Sequence, residues 1–361
     1  MADADIERMI ALFEAVIAGA EDYPLRLIGL AQVLANKKQP FRAFELCRKA
    51  LHLAAGNPEV LVRARRLLSS LIPRYHVPLM NDARRNVAWS KAFGRAIRSG
   101  MHALEIGTGG GMLALMAARA GAEKVTTCER DPILACLARE IAERNGFGDR
   151  IAVIAKPSTE LLLGDDLEAP ADLLFCDIFG DSLFNFDPLT VLADARRRLT
   201  KPGAIVVPAA GEIRLALANW ERYTTYAHID QIAGFDLTPF ADFAPAVITI
   251  PIGDTCLKLK SGPVAALRFD FASLSHPAEG RMEVSLIAAE DARINGILHW
   301  IRLELDAETV LEARPEANAV FLSSPRFWPL RCPLSIRRGE KMDVAVARDG
   351  RQLTVCPIQS R

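Results

Sequence analysis

"ALEIGTGGGMLALMAARAGA", residues 103–122, decides how this 361-residue chain is read. An apolar strand runs into a glycine-rich turn, and the turn runs into an alanine- and leucine-rich helix. Glycines let the backbone come close to a bound molecule with no Cβ in the way. A strict Gly-x-Gly-x-x-Gly dinucleotide fingerprint fails, because the residue three beyond Gly109 is Met112. A Walker phosphate loop fails as well, because no Gly-Lys-Ser/Thr follows. What stands is Glu105-x-Gly107-x-Gly109-x-Gly111, with Glu129 closing the next strand 22 residues past Gly107. A plain tight turn is the bland alternative, but the strand–turn–helix context fits a ligand.

That constellation suits a cofactor bearing a charged amino acid and a ribose but no phosphates. An acid at a strand's end, Glu129, can accept both hydrogen bonds of a ribose diol. The Glu105 carboxylate can sit near an ammonium group through ordered water. The cofactor expected from these residues is S-adenosylmethionine, with Glu105, Gly107, Gly109, Gly111 and Glu129 around it.

Outward from this stretch, strands and helices alternate. "HALEIG", "KVTTCE", "RIAVIA", "ADLLFCDI" and "AIVVPA" read as strands. Residues 83–98, 112–119, 132–145 and 188–199 read as helices, and Lys201-Pro202-Gly203 reads as a turn. Such alternation predicts a mostly parallel sheet covered on both faces. Upstream, residues 1–73 carry helical periodicity throughout, with predicted helices at 26–37 and 58–71. The segment "AFELCRKALHLAAGNP", residues 43–58, resembles the second helix of a tetratricopeptide repeat, its Ala43 and Ala50 standing where such helices pack closely. An ordinary helical domain is the alternative. Downstream of about residue 210 the helices stop, and short alternating runs such as "EIRLALA", "AALRFDF", "GILHWIRLEL" and "KMDVAVA" predict a mainly antiparallel β domain, barrel-like. The fold class expected is therefore α/β followed by β: a helical tetratricopeptide-like domain (1–73), a Rossmann-like domain (74–208) and a β-barrel-like domain (209–361).

Composition narrows the classes. Forty-four basic residues balance forty-four acidic ones, so no global charge favours nucleic acid or an anionic membrane. No run of eighteen apolar residues occurs, and the acidic start "MADADIERMI" is unlike a secretory signal. The seven cysteines form no Cys-x-x-Cys pair and the six histidines have no ligand spacing, so reduced thiols in a cytoplasm and no metal site are expected.

The glycine stretch resembles the first motif of class I methyltransferases, and the order of parts resembles the protein arginine methyltransferases, particularly their divergent tetratricopeptide-containing type. In that branch a helix with the pattern Met-x-x-Asp-x-x-Arg-Asn-x-x-aromatic precedes the sheet. "MNDARRNVAW" matches it at Asp82, Arg85, Asn86 and Trp89, with Met80 one residue short. By that resemblance Arg85 holds the cofactor carboxylate, which needs a guanidinium fork. The resemblance covers residues 75–345, closely as far as 208.

It also implies a pair of glutamates, nine residues apart, on the loop after strand four, where they orient a substrate guanidinium. Here that loop is "CDIFGDSLFNFDPL". Asp177 stands at the first position, one methylene shorter. Phe186 stands at the second with Asp187 beside it, and Asp181 lies between. Asp177, then Asp187, then Asp181 are the candidate catalytic residues. The family's Thr-His-Trp barrel loop aligns on Arg326-Phe327-Trp328, so Phe327 takes the position of the histidine that would partner Asp82. His299 is expected to be a strand residue and not a base, Cys176 a buried small side chain, and Trp300 and Trp328 packing residues, with pocket lining from its loop the alternative for Trp328.

The implied function is S-adenosylmethionine-dependent methyl transfer to a protein or peptide side chain, with a degenerate acidic clamp. A non-arginine peptide residue or a small molecule is the alternative acceptor, and a cofactor-binding scaffold without catalysis is the alternative class. The branch dimerises through an arm inserted in the barrel, which would be residues 218–243.

Overall fold

The structure is a computed structural model that describes residues 3–20, 22–183, 187–251, 253–275, 279–315, 323–350 and 352–358. It opens with four helices, α1 (Asp3–Ile17), α2 (Tyr23–Asn36), α3 (Pro40–Leu53) and α4 (Pro58–Leu71). Pro sits in the first turn of α2, α3 and α4, where its missing N–H costs nothing. The Asn57 side chain caps α4 by accepting from the Glu59 and Val60 amides. Ala43 and Ala50 of α3 are fully buried in the core that these helices share. These helices share a core of their own, from Ile10 to Leu67. Arg48 of α3 reaches out of it to Glu140, at 2.5 Å.

A short helix α5 (His76–Met80) and a longer one α6 (Ala83–Ala96) lead into the sheet. Then follow β1 (His102–Ile106), α7 (Met112–Arg119), β2 (Lys124–Cys128), α8 (Pro132–Arg144), β3 (Ile151–Ile154), β4 (Ala171–Cys176), α9 (Pro188–Leu199) and β5 (Thr200–Val207). The five strands are parallel, in the order β3-β2-β1-β4-β5. Successive units wind one way from β1 to β3 and the other way from β4, which puts a crevice at the carboxyl ends of β1 and β4. The predicted turn at Lys201-Pro202-Gly203 lies inside β5, as a bulge: Thr200 pairs with Ala171, and pairing then skips to Ile205 with Leu173.

The remainder is β6 (Ala210–Trp220), α10 (Tyr223–Ala227), β7 (Gln231–Ile232), β8 (Phe235–Asp236), β9 (Ile248–Thr249), β10 (Leu257–Leu259), β11 (Val264–Asp270), β12 (Gly280–Ile287), β13 (Ala292–Glu304), β14 (Val310–Glu312), β15 (Arg326–Ile336), β16 (Lys341–Asp349) and β17 (Gln352–Pro357). Helices therefore do not stop entirely at 210: α10 and a 3₁₀ turn over Thr238–Phe243 belong to an excursion between β6 and β9. A seven-stranded antiparallel sheet centred on β6 and β13 packs with a three-stranded one, β12-β16-β17, in a barrel-like arrangement. Its core is continuous with that of the parallel sheet. Arg326-Phe327-Trp328, expected as a loop, begins β15 and pairs with both β13 and β9. Phe327 is fully buried there, edge-on to Trp220 at 5.4 Å and lying over Gly296, where a Cβ would come 2.1 Å from the ring. The ring does not reach towards the cofactor-side helix because strand pairing turns it into the β core.

Candidate active site

Three chain segments leave the carboxyl edge of the parallel sheet side by side. Ile106 is in register with Cys128 on one side and Cys176 on the other, so Glu129, Gly107 and Asp177 follow three adjacent strands. Neighbouring strands are about 4.8 Å apart, which sets the roots of Glu129 and Asp177 roughly 10 Å apart across the glycine turn.

The turn needs its glycines. Gly107, Gly109 and Gly111 have φ of +78°, +54° and +81°, in the left-handed region. A Cβ at Gly107 would lie 2.5 Å from Ile178, and one at Gly110 would lie 2.6 Å from the Met80 sulfur. The Gly109 amide donates to Glu129 Oε2 at 3.0 Å, and the Asp131 amide donates to Glu129 Oε1 at 3.0 Å. Both carboxylate oxygens are thereby aimed before any ligand arrives.

Glu105 lies beneath the turn, fully buried. Its Oε2 accepts from the hydroxyls of Thr108 and Thr127, each at 2.7 Å. Burial pushes its carboxyl up to about 7, although the two hydroxyls and the Arg85 charge pull the other way. Cys176, at the end of β4, is fully buried, and burial pushes its thiol up, so it is a packing residue rather than a nucleophile.

Arg85 is brought in by α6. Asp82 caps that helix by accepting from the Arg85 amide at 2.9 Å. Arg85, Trp89 and Phe93 recur every four residues along its buried face. Trp89 packs on Phe93, and Phe93 meets Phe175 of β4 edge-on at 4.9 Å. At the far end Arg95 makes a two-pronged pair with Asp306 in the turn before β14. So anchored, α6 puts the Arg85 guanidinium on Asp177: Nε donates to Oδ2 at 2.7 Å, and Nη2 lies 2.5 Å from the same oxygen in an ion pair. The two side chains are only 4% and 7% exposed. A third Arg85 donor goes to Asn86 at 3.2 Å. A guanidinium has five N–H groups, so donors remain for a ligand carboxylate after these described contacts.

The other acids of the loop are placed differently. The Asp181 carboxylate pairs with Arg326 of β15. Asp187 begins α9 in a left-handed conformation, φ +53°. Phe186, which the resemblance sets at the second glutamate position, lies outside the described residues. His299 is a strand residue, 2% exposed, as its alternating context suggested. Trp328 is on a strand rather than a loop, and its indole N–H donates to His299 Nδ1 at 2.7 Å.

Sequence reading missed α5. His76 packs on Gly109 and Met80 on Gly110, so this helix roofs the turn. Burial lowers the His76 imidazole, although Glu129 and Asp131 act against it. Tyr75 precedes it, its phenol raised by burial and by the charges of Glu129, Asp177 and Asp131. Pro73 and Pro78, which break the helical pattern around it, were the available signal.

The chain is 31% identical over 278 residues to an arginine Nω-methyltransferase of Streptomyces achromogenes subsp. streptozoticus, covering 75% of each chain. It belongs to the arginine methyltransferase family. Protein arginine N-methyltransferase 7 of Drosophila grimshawi and of Drosophila melanogaster are 28% and 27% identical over 64% of this chain, which spans only 34% and 35% of their lengths. Residues 90–209 also match the family model of the ribosomal protein L11 methyltransferase, PrmA. The fold is that of the Trypanosoma brucei PRMT1 enzyme-prozyme heterotetrameric complex with AdoHcy, with a TM-score of 0.69 and 21% identity over 80% of this chain and 93% of that one. Arabidopsis thaliana protein arginine methyltransferase 10 gives a TM-score of 0.65 at 17% identity, over 79% of this chain and 91% of that one. The protein is an S-adenosylmethionine-dependent methyltransferase, and the glycine cradle, the aimed Glu129 carboxylate and the buried Arg85 fork fit that cofactor.

The Glu105 environment has a measurable consequence. The folded protein keeps the Glu105 proton up to about pH 7, while the unfolded chain releases it near the ordinary 4.5. Between those values the folded state binds more protons, so this residue's contribution to stability falls as pH rises. Glu105→Gln keeps an oxygen for both hydroxyls and cannot titrate. Denaturation at pH 4.5 and pH 7 is expected to show wild-type stability dropping relative to the variant by on the order of 3 kcal/mol.

Proposed function

We propose that this methyltransferase acts on a side chain of a protein or peptide and that Asp177 orients the acceptor. The buried Arg85–Asp177 pair beside the glycine turn carries this reading. When bound, the cofactor supplies an electrophilic methyl group on its sulfonium. The chain's part is placement and charge. Glu129 takes the ribose hydroxyls, the remaining Arg85 donors take the carboxylate, and Glu105 faces the ammonium end. The Arg85 hydrogen bond and the closer ion-pair contact both fall on Asp177 Oδ2, and Oδ1 is the oxygen proposed to hold the acceptor and receive its proton. Asp187, at the start of α9, is the second acid in this reading. The arginine ω-nitrogen, the atom in the Streptomyces relative's name, is the first acceptor to test. A cytoplasmic setting fits the seven cysteines, none of which is in a disulfide.

Two of the loop's acids already hold guanidinium groups of this chain: Asp177 holds Arg85, and Asp181 holds Arg326. Carboxylates so committed, and one methylene shorter than glutamate, suit a specific acceptor better than a generic one. Glycine- and arginine-rich peptides and histone tails are therefore expected to be poor substrates beside peptides of the host lysate. Mass spectrometry after incubation with labelled cofactor reads the modified residue. Efficient arginine methylation of the generic peptides overturns this selectivity. Label on another residue or on a small molecule moves the acceptor, and cofactor binding with no labelled product identifies a scaffold.

Asp177→Asn is expected to cost roughly a hundredfold or more in turnover, the loss typical of a charge aligned with the transition state. Calorimetry with S-adenosylhomocysteine and a melting curve separate this from unfolding, because a buried arginine losing its partner can itself cost about 3–5 kcal/mol. Full turnover by the folded variant removes Asp177 from the chemistry.

The excursion between β6 and β9 is the proposed dimerisation arm. It begins after Trp220, since 218–220 belong to β6. Phe235, Phe240 and Phe243 are 70%, 60% and 78% exposed on it, with Ile232 and Leu237 beside them. So many bare apolar side chains on one excursion call for a covering surface, and a second copy of the chain is the proposed one. Sedimentation is expected to show a dimer for the wild type and a monomer for Phe240→Asp/Phe243→Asp. A wild-type monomer rejects the arm's role.

A further inference from the structure

The loop that leaves β4 is gripped from the β domain by contacts that the methyl-transfer site does not itself require. Phe179 packs on Phe271 at 5.0 Å. Leu183 is fully buried in a left-handed conformation, φ +63°, and a Cβ at Gly211 would come 3.0 Å from it. Between these, Asp181 is held twice. Its carboxylate pairs with Arg326, whose Nη1 also donates to Thr249 Oγ1 at 2.5 Å. Its backbone carbonyl accepts from His299 Nε2 at 3.1 Å. His299 Nδ1 in turn accepts from the Trp328 indole, which fixes the ring as the neutral tautomer with its proton on Nε2. Burial lowers this imidazole to about 4, with Asp181 pulling it up and Arg326 pushing it down, so it stays neutral in ordinary buffers. His299 and Arg326 face each other in register across β13 and β15, so both grips come from one rigid pair of strands.

We infer that His299, Trp328 and Arg326 are positioning residues that set the loop from Asp177 to Leu183, and with it the Asp177 carboxylate, against the glycine turn. Asp181 is then the point by which the loop is held and not an acid of the reaction. Asp177 is four residues from that point, so a loop released at Asp181 lets Asp177 turn while its bond to Arg85 tethers only one end. The inference rests on the reading of Asp177 as the acceptor-orienting residue, but the grip itself can be measured without an acceptor.

Two measurements test it. In the first, hydrogen exchange of the 177–183 amides is followed in the wild type, Arg326→Met, Arg326→Lys and His299→Leu. Exchange is expected to speed up by about tenfold or more in Arg326→Met and His299→Leu, with no change in the glycine turn, and to return most of the way in Arg326→Lys. In the second, turnover is measured with tritiated S-adenosylmethionine and a tryptic digest of host lysate as acceptor. Arg326→Met is expected to lower kcat by about tenfold or more while KM for the cofactor stays within about twofold. The charge-swapped double variant Asp181→Arg/Arg326→Asp is expected to recover part of that loss. Unchanged loop exchange in Arg326→Met overturns the grip. So does parallel loss of kcat and cofactor affinity with no rescue by lysine, which marks a general structural role. If Arg326→Met does not fold, Arg326→Lys and His299→Leu carry the same comparison. Fast loop exchange with intact kcat, together with an active Asp177→Asn, keeps the grip and rejects the role given to Asp177.

Discussion

Most of the site depends on one buried ion pair. Arg85 and Asp177 have left water almost completely, and each would be costly to bury alone. Their attraction offsets that cost only if the geometry holds, and the surrounding structure holds it from both sides. On the arginine side, α6 is seated by Trp89 and Phe93 on Phe175 and tied at its far end by Arg95 to Asp306. On the aspartate side, the loop is seated by Phe179, Leu183 and the Asp181 contacts on the β domain. A helix before the parallel sheet and a β domain after it thus meet at one carboxylate.

The glycine turn follows the same logic on a smaller scale. The Gly109 and Asp131 amides are paired with the Glu129 carboxylate, and the Thr108 and Thr127 hydroxyls with Glu105. Polar groups satisfied and fixed in advance need little reorganisation when a charged ligand arrives, and fixed polar groups are the usual source of catalytic electrostatics. The cost of that order is seen in Glu105, whose burial holds it close to half protonated near neutral pH.

The β domain shows why its inner and outer faces could be told apart but its contacts could not. Along β6 and β13, apolar residues such as Ile213, Leu217, Ile297 and Ile301 go to the core. Glu212, Arg214, Arg268, Arg302 and Glu304 are linked in one charged network across β11, β6 and β13. Alternation announces such faces at the charged end of these strands, whereas residues 215–218 and 297–301 are buried on both faces. Which strands lie beside which is a matter of pairing across long stretches of chain, and that pairing placed Phe327 against Gly296 and Trp328 against His299.

The sequence by itself determined the elements whose causes are local. The turn from Gly107 to Gly111 and the α7 start at Met112 follow from glycine and helix-forming residues a few positions apart. The strands of the parallel sheet and the helix beginning at residue 83 were legible for the same reason: a 3.6-residue or two-residue period shows within one element. That the first acid after β4 is an aspartate, Asp177, was legible too, because residue type is visible without coordinates. What only the tertiary structure decided are contacts between residues far apart in the chain. Arg85 and Asp177 are 92 residues apart, and Asp181 and His299 are 118 apart. Arg326-Phe327-Trp328 read as a loop because it aligns with the family's Thr-His-Trp loop, yet it is a strand, since alignment along one chain does not show the pairing with β13 and β9. The roof formed by α5 escaped notice because five residues are too few to show a helical period. Packing against the glycines, and not its own sequence, gives that helix its place.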